Sequence, residues 1–381
     1  MYKISLFFIL FLSFLKNYAQ QLSVPYDVLA GVPMVKISVD GKNHRFLFDT
    51  GAFKTVIHSD VFTNLPISST VENVGGVGSE RKQMDVVKFS FEFLGKYFKN
   101  KEVLYMNTTF NLINQHSCDE LELVGVIGRD IMEDYIIEIN PTNKKIVFHN
   151  PVQFNENQLP GFTKIELRNS SEPKVPITIE NHKRYVLFDT GRTRGMSISN
   201  FKLDKYINIA KHTTYMSKSR GIGVHGFNED IDIHHKIYNS NIKMNKLLVK
   251  NQVIETSGND LNNMGFSFIS QFISYLDLKG KRLYVKQISE NSYGNSILEY
   301  LGFSASYNYE KKKNIVTLLA KNNDKLKLED AILEVNGEIP PANNCETESF
   351  FEKFKGGPLK MTIERESKII QVEQPFYSGQ L

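Results

Sequence analysis

The chain has 381 residues, enough for two or three domains, and an apolar fraction of 41% supplies a core for each. Its net charge of +4 is small for that length, so charge gives no reason to expect a nucleic-acid or strongly acidic partner. Only two cysteines occur, Cys118 and Cys345, which excludes a disulfide framework, while 27 Phe and 17 Tyr without Trp favour β architecture.

The amino terminus reads as a secretory signal over residues 1–19. Lys3 supplies positive charge, residues 4–15 are apolar except for Ser5 and Ser13, and Tyr18-Ala19-Gln20 offers a small-residue cleavage point. That run is shorter than the roughly 20 residues needed to span a bilayer. No later apolar stretch is longer, so an exported protein (periplasmic, cell-surface or secreted) is expected, with no membrane span after signal removal.

A repeat follows. Leu-Phe-Asp-Thr-Gly occurs at residues 47–51 and again at 187–191, one Asp in each copy. Val35, Ile37 and Val39 alternate with polar residues and are matched by Val175, Ile177 and Ile179, a period-two pattern of half-buried strands. Each set leads through a turn, Asp40-Gly41-Lys42-Asn43 or Glu180-Asn181-His182-Lys183, into an apolar strand ending at the Asp. Glycine clusters then mark candidate mobile hairpin tips, with Gly75, Gly76 and Gly78 in the first copy and Gly221 and Gly223 in the second. Val126-Ile127-Gly128 and Met264-Gly265 come next, and segments 136–148 and 275–285 read as closing strands. Landmarks in one order at near-equal spacing point to a duplicated lobe.

Two carboxylates brought together across a two-fold axis cannot both ionise readily, so one keeps a proton while the other activates a water. The run Asp49-Thr50-Gly51-Ala52, the glycines after Gly75 and the run Val126-Ile127-Gly128-Arg129-Asp130 resemble the retropepsin-like aspartic proteases, with both lobes in one chain as in pepsin-type enzymes. The resemblance covers about residues 25–288. It implies catalysis by Asp49 and Asp189, ordering of the pair by Thr50, Gly51, Thr190 and Gly191, flaps at the glycine clusters, a buttress at residues 126–128, and no metal or other cofactor. Two residues depart from the pattern: Arg192 stands where a small residue usually follows, and Asn263 replaces an apolar residue. A cation beside the second loop would lower the pKa values of the pair or fill the cleft.

The last ninety or so residues continue past the second lobe. Tyr300-Leu301-Gly302-Phe303 resembles the carboxylate-binding loop of PDZ domains, and residues 327–337 resemble their central strand and turn, with Glu329 where that family commonly has Gly. A helix over 346–355, a stop at Gly356-Gly357 and a strand over 359–364 complete the module. The resemblance implies that Leu301, Gly302 and Phe303 receive a peptide C-terminus, which adds a strand to the sheet edge. Residues 221–226 fit G-x-G-x-x-G but precede acidic residues rather than a helix; His225, His234 and His235 lack zinc-motif spacing and read as solvent-facing.

The expected fold is mainly β: two pseudo-two-fold-related acid-protease-like barrel lobes over 20–152 and 153–290, then a small PDZ-like α+β domain over 291–381. The expected function is aspartic endopeptidase action on a peptide or protein held between the lobes. The alternative is an inactive protease-like scaffold that grips extended peptides, with the PDZ-like module as adaptor.

Overall fold

The structure, a computed structural model, describes residues 22–75, 81–106, 110–111, 113–114, 121–199, 212–218, 222–223, 226–227, 231–257, 261–290 and 300–375. The expected signal segment lies outside them. The first lobe contains strands β1 (Leu22–Leu29), β2 (Val32–Val39), β3 (Lys42–Phe48), β4 (Val56–His58), β5 (Ile67–Gly75), β6 (Arg81–Phe93), β7 (Lys96–Met106), β8 (Leu123–Ile127), β9 (Ile136–Asn140) and β10 (Lys145–His149), with a short helix α1 (Arg129–Met132) after β8. The second contains β11 (Thr163–Glu166), β12 (Lys174–Ile179), β13 (His182–Phe188), β14 (Met196–Ser199), β15 (His212–Lys218), the two-residue strands β16 (Ile222–Gly223) and β17 (Gly226–Phe227), β18 (Ile231–Met244), β19 (Leu247–Ser257), β20 (Asn263–Met264), β21 (Phe272–Asp277) and β22 (Arg282–Gln287), with α2 (Phe266–Ile269) after β20.

The duplication is a repeat of pairings as well as of residues. Asp40 and Gly41 turn β2 into β3 with φ of 49° and 76°, and Glu180 and Asn181 turn β12 into β13 with φ of 42° and 70°. Two successive left-handed residues give the turn whose twist suits a hairpin. Strand β3 then runs parallel to β8, with Leu47 beside Val126 and Phe48 beside Ile127, as β13 runs parallel to β20, with Leu187 beside Asn263 and Phe188 beside Met264. On the other side of β8 and β20 lie β4 and β14, antiparallel to them and parallel to β7 and β19. The alternating Val35, Ile37, Val39 and Val175, Ile177, Ile179 all point into one core that runs through both lobes.

The closing segments 136–148 and 275–285 are hairpins rather than single strands. Pro141, which has no N–H to give a ladder, follows β9, and the Asp277 carboxylate accepts the Gly280 N–H at 2.6 Å to turn β21 into β22. Strands β9 and β21 pair antiparallel across the lobes, Ile139 with Ser274 and Ile136 with Asp277, so the lobes share a sheet in the order β11-β22-β21-β9-β10-β1.

The remaining residues form β23 (Phe303–Asn308), β24 (Lys313–Ala320), β25 (Ala331–Val335), helix α3 (Asn344–Glu352), β26 (Leu359–Arg365) and β27 (Lys368–Gln374) around their own core. Helix α3 starts two residues earlier than the sequence pattern suggests because the Asn343 side chain caps it, accepting the Glu346 N–H at 2.9 Å. Strand β27 was not anticipated: its turn, Glu366-Ser367 at φ 49° and 63°, lacks the Gly or Asn that announces such a hairpin. One edge of β24 is divided between β25 and β15, with Tyr215 opposite Ala320 and Ser217 opposite Leu318, so the module's sheet continues into the second lobe. Beside this seam His234 is buried, contrary to expectation; its Nε2 meets Ser217 Oγ at 2.7 Å and its ring stacks on Tyr215.

Candidate active site

Each Asp follows a buried Phe, Phe48 or Phe188, whose burial contributes about 2–3 kcal/mol and fixes the strand end. The main chain repeats the anchoring: the Asp49 N–H donates to Ile127 O and the Asp189 N–H to Met264 O, each at 3.0 Å. Between the two loops Thr50 and Thr190, both fully buried, are bound reciprocally. The Thr50 hydroxyl donates to Phe188 O at 2.6 Å and accepts the Thr190 N–H at 3.1 Å; the Thr190 hydroxyl donates to Phe48 O at 2.6 Å and accepts the Thr50 N–H at 3.0 Å.

This bracing brings Asp49 and Asp189 together, close enough for each carboxyl to act on the ionisation of the other. Gly51 and Gly191 lie under the opposite carboxyls: a Cβ on Gly51 would come within 2.7 Å of Asp189 Oδ1, and one on Gly191 within 2.4 Å of Asp49 Cγ. Asp49 Oδ1 accepts the Gly51 and Ala52 N–H groups at 2.7 and 3.2 Å, while Asp189 Oδ1 accepts the Gly191 N–H at 3.0 Å.

Burial raises both carboxyls above their ordinary range. For Asp189 the rise is large, because the neighbouring Asp49 adds to the burial penalty, and the charge of Arg192 works against it. Asp49 is held back by its two backbone donors, by the neighbouring Asp189 and by the charge of Arg129. Arg192 therefore acts on the pair electrostatically. Its carbonyl separately accepts the Phe266 N–H at 2.7 Å, the counterpart of the Arg129 N–H donated to Ala52 O at 3.0 Å.

The run after Val126 buttresses the first loop through a residue that sequence reading did not single out. The Thr55 N–H and hydroxyl both donate to Asp130 Oδ1 at 2.8 Å, and the Gly128 N–H donates to Thr55 Oγ1 at 3.2 Å. In the second lobe a main-chain bond stands in, from the Gly265 N–H to Gly195 O at 2.8 Å. Asn263, noted only as a departure, donates from Nδ2 to Asp189 Oδ2 at 3.0 Å. Nothing in the local sequence of Thr55 or Asn263 announces these contacts, since each partner is about 75 residues away in the chain.

Of the glycines named as flaps, Gly75 ends β5 and Gly223 pairs with Gly226 in the β16–β17 hairpin; Gly76, Gly78 and Gly221 lie outside the described residues. Leu301 and Phe303 are buried in the C-terminal core, and Gly302 has φ 72° with its carbonyl accepting the Ala320 N–H at 2.8 Å. These residues stand apart from the Asp pair. Glu329, where the resemblance has Gly, takes φ 74° and pairs with Lys218 of the second lobe at 2.7 Å. Among the described residues no helix is long and apolar enough to cross a membrane.

No curated protein sequence matches the chain. A solved structure similar to it is the aspartic proteinase from Irpex lacteus, 12% identical, with a TM-score of 0.44 over 71% of this chain and 98% of that one. Residues 30–140 match the family model of the retroviral aspartyl protease, which supports a protease function. That span runs from the end of β1 through the Asp49 loop, the β5–β6 hairpin and the Thr55–Asp130 buttress to β9, so the first lobe is retropepsin-like.

Proposed function

We propose that the chain is an exported aspartic endopeptidase in which Asp49 and Asp189 act as one catalytic unit on a peptide or protein substrate lying between the lobes. The observation that carries this reading is the buried pair of carboxyls, each seated over the opposite lobe's glycine and each acting on the ionisation of the other. Two like charges at such a site are costly, so the pair retains one proton. The ionised member takes a proton from water as the oxygen attacks the peptide carbonyl carbon, and the protonated member gives its proton to the carbonyl oxygen. The resulting diol intermediate collapses as the nitrogen is protonated and leaves, returning the pair to its starting state. Neither a metal nor a covalent enzyme intermediate enters this sequence.

Incubating the mature protein with a mixed peptide library from acidic to neutral pH, in parallel with Asp49→Asn, tests the proposal. Cleavage by the parent and loss of about a thousandfold or more in the variant is expected. Binding of extended peptides without cleavage by the parent would instead establish the scaffold reading.

The C-terminal module is proposed to be PDZ-like and to receive a peptide C-terminus near Leu301, Gly302 and Phe303. Its support is the strand order, the left-handed Glu329, and β23, which pairs with β24 along one edge. The Asn344 side chain accepts the Tyr307 N–H at 2.7 Å and donates to its carbonyl at 3.3 Å. A ligand strand on β23 is therefore confined to the stretch before Tyr307. Titration of the protein with peptides bearing a free or an amidated C-terminus tests this, and equal affinity for the two forms would overturn carboxylate recognition.

A further inference from the structure

The two halves of the pair differ in the side chain that the central strand presents to the carboxyl. The register places Asn263 beside Leu187 as it places Val126 beside Leu47, so the two residues are structural counterparts in β20 and β8. Val126 has no polar atom to offer. Asn263 is 5% exposed, and its Nδ2 lies 3.0 Å from Asp189 Oδ2. Asp189 thus receives a donor on each oxygen, Gly191 N–H on Oδ1 and Asn263 on Oδ2. Both backbone donors to Asp49 converge instead on Oδ1.

We propose that Asn263 is a positioning residue of the second lobe: its amide N–H, donated to Asp189 Oδ2, fixes the plane of that carboxyl and favours its ionised form, a bond with no counterpart on Asp49. The inference rests on reading the pair as the catalytic centre. The physical ground is that a buried amide in an otherwise apolar register position needs a partner, and a carboxylate oxygen is the stronger acceptor when charged. Burial and the charge of Asp49 both work against ionisation of Asp189, while Arg192 and the Gly191 N–H oppose them, and the Asn263 donor lies on the same side as these two. The charged groups facing the pair are Arg192 from the second loop and Arg129 from α1, with Glu172 acting on Arg129. Asn263 is neutral, so replacing it leaves all of these in place.

The test is Asn263→Val, which gives the second lobe the residue of the first. The basic limb of the kcat/KM profile should move upward by about one pH unit, the size implied by losing a hydrogen bond to a charged group. A basic limb that overlays the parent's, in a folded variant, overturns the proposal. A second measurement does not depend on turnover: in protein with 13C-labelled Asp carboxyls, the higher apparent pKa of the pair should rise in Asn263→Val, and in Asn263→Ala should Val fail to pack. An unchanged titration again overturns the role of Asn263. If the parent cleaves no peptide, the peptidase reading fails, while the carboxyl titration still decides whether Asn263 favours the charge on Asp189.

Discussion

Thr50 and Thr190 each donate a hydroxyl hydrogen to the main chain of the opposite lobe and accept the other's N–H, so four bonds between 2.6 and 3.1 Å close a fully buried ring across the lobe boundary. Substitution of either residue by Ala leaves a buried carbonyl and a buried N–H without partners. Thr50→Ala and Thr190→Ala should each lower stability by about 2–4 kcal/mol and reduce peptide cleavage further than the unfolded fraction explains. Urea unfolding and cleavage rates on the same samples check this. Thr→Ser at either position, which keeps the hydroxyl, should restore most of both.

The pair also leaves a signature on stability. The folded-state pKa of Asp189 lies above the ordinary value of 3.8, so the stability tied to this group is fully present below that value and is lost as pH rises through the raised one. Asp189→Asn abolishes the dependence. Urea denaturation at about pH 4 and about pH 7.5 should show the variant gaining on the parent at the higher pH, with cleavage abolished at both. An identical pH dependence in parent and variant would mean that the carboxyl is not raised.

Arg192 presents a charge to Asp189, and its carbonyl accepts the N–H of Phe266 in α2. Replacing the side chain by Ala, as at Ala52, keeps the main-chain bond and removes the charge. The basic limb of the pH–rate profile should then move upward by less than about one unit, because Arg192 is only partly buried and solvent screens its charge. Superimposable profiles would reject the tuning role and leave the pairing of Asp49 with Asp189 untouched.

The seam between β15 and β24 makes the C-terminal module a structural continuation of the second lobe. Deleting residues 291–381 would leave the edge of β15 from Tyr215 to Ser217 without its partner strand and uncover Met216, which packs against the module's core. The truncated protein should melt about 5 °C or more below the parent and associate with rising concentration. Differential scanning calorimetry and size-exclusion chromatography measure the two effects.

Much of the architecture is legible in the chain because a duplication displays it twice. The alternation at Val35, Ile37, Val39 and at Val175, Ile177, Ile179 identifies core-facing strands, since a period of two leaves no other face for them. Not every error falls where local signals are weak or misleading. The turns within segments 136–148 and 275–285 do carry local signals, Asn140-Pro141 and Lys279-Gly280, whereas Glu366-Ser367 adopts a left-handed turn that neither residue favours. His234 is polar by composition but buried because β15 supplies Ser217 and Tyr215 to receive it.

What the sequence by itself determined is the repeat: two Asp-Thr-Gly loops behind matched apolar strands, with the residue types that permit close approach and mutual bracing. Periodicity and composition encode which face is buried, and those are local properties of the chain. Tertiary structure alone decided which atoms meet. It set Thr50 against Thr190, Thr55 against Asp130 and Asn263 against Asp189, and it joined β24 to β15. Each of these contacts links residues far apart in the chain, and a hydrogen bond exists only where donor and acceptor lie within about 3 Å in the correct direction. That condition is met by the packing of whole lobes, and no stretch of sequence states it.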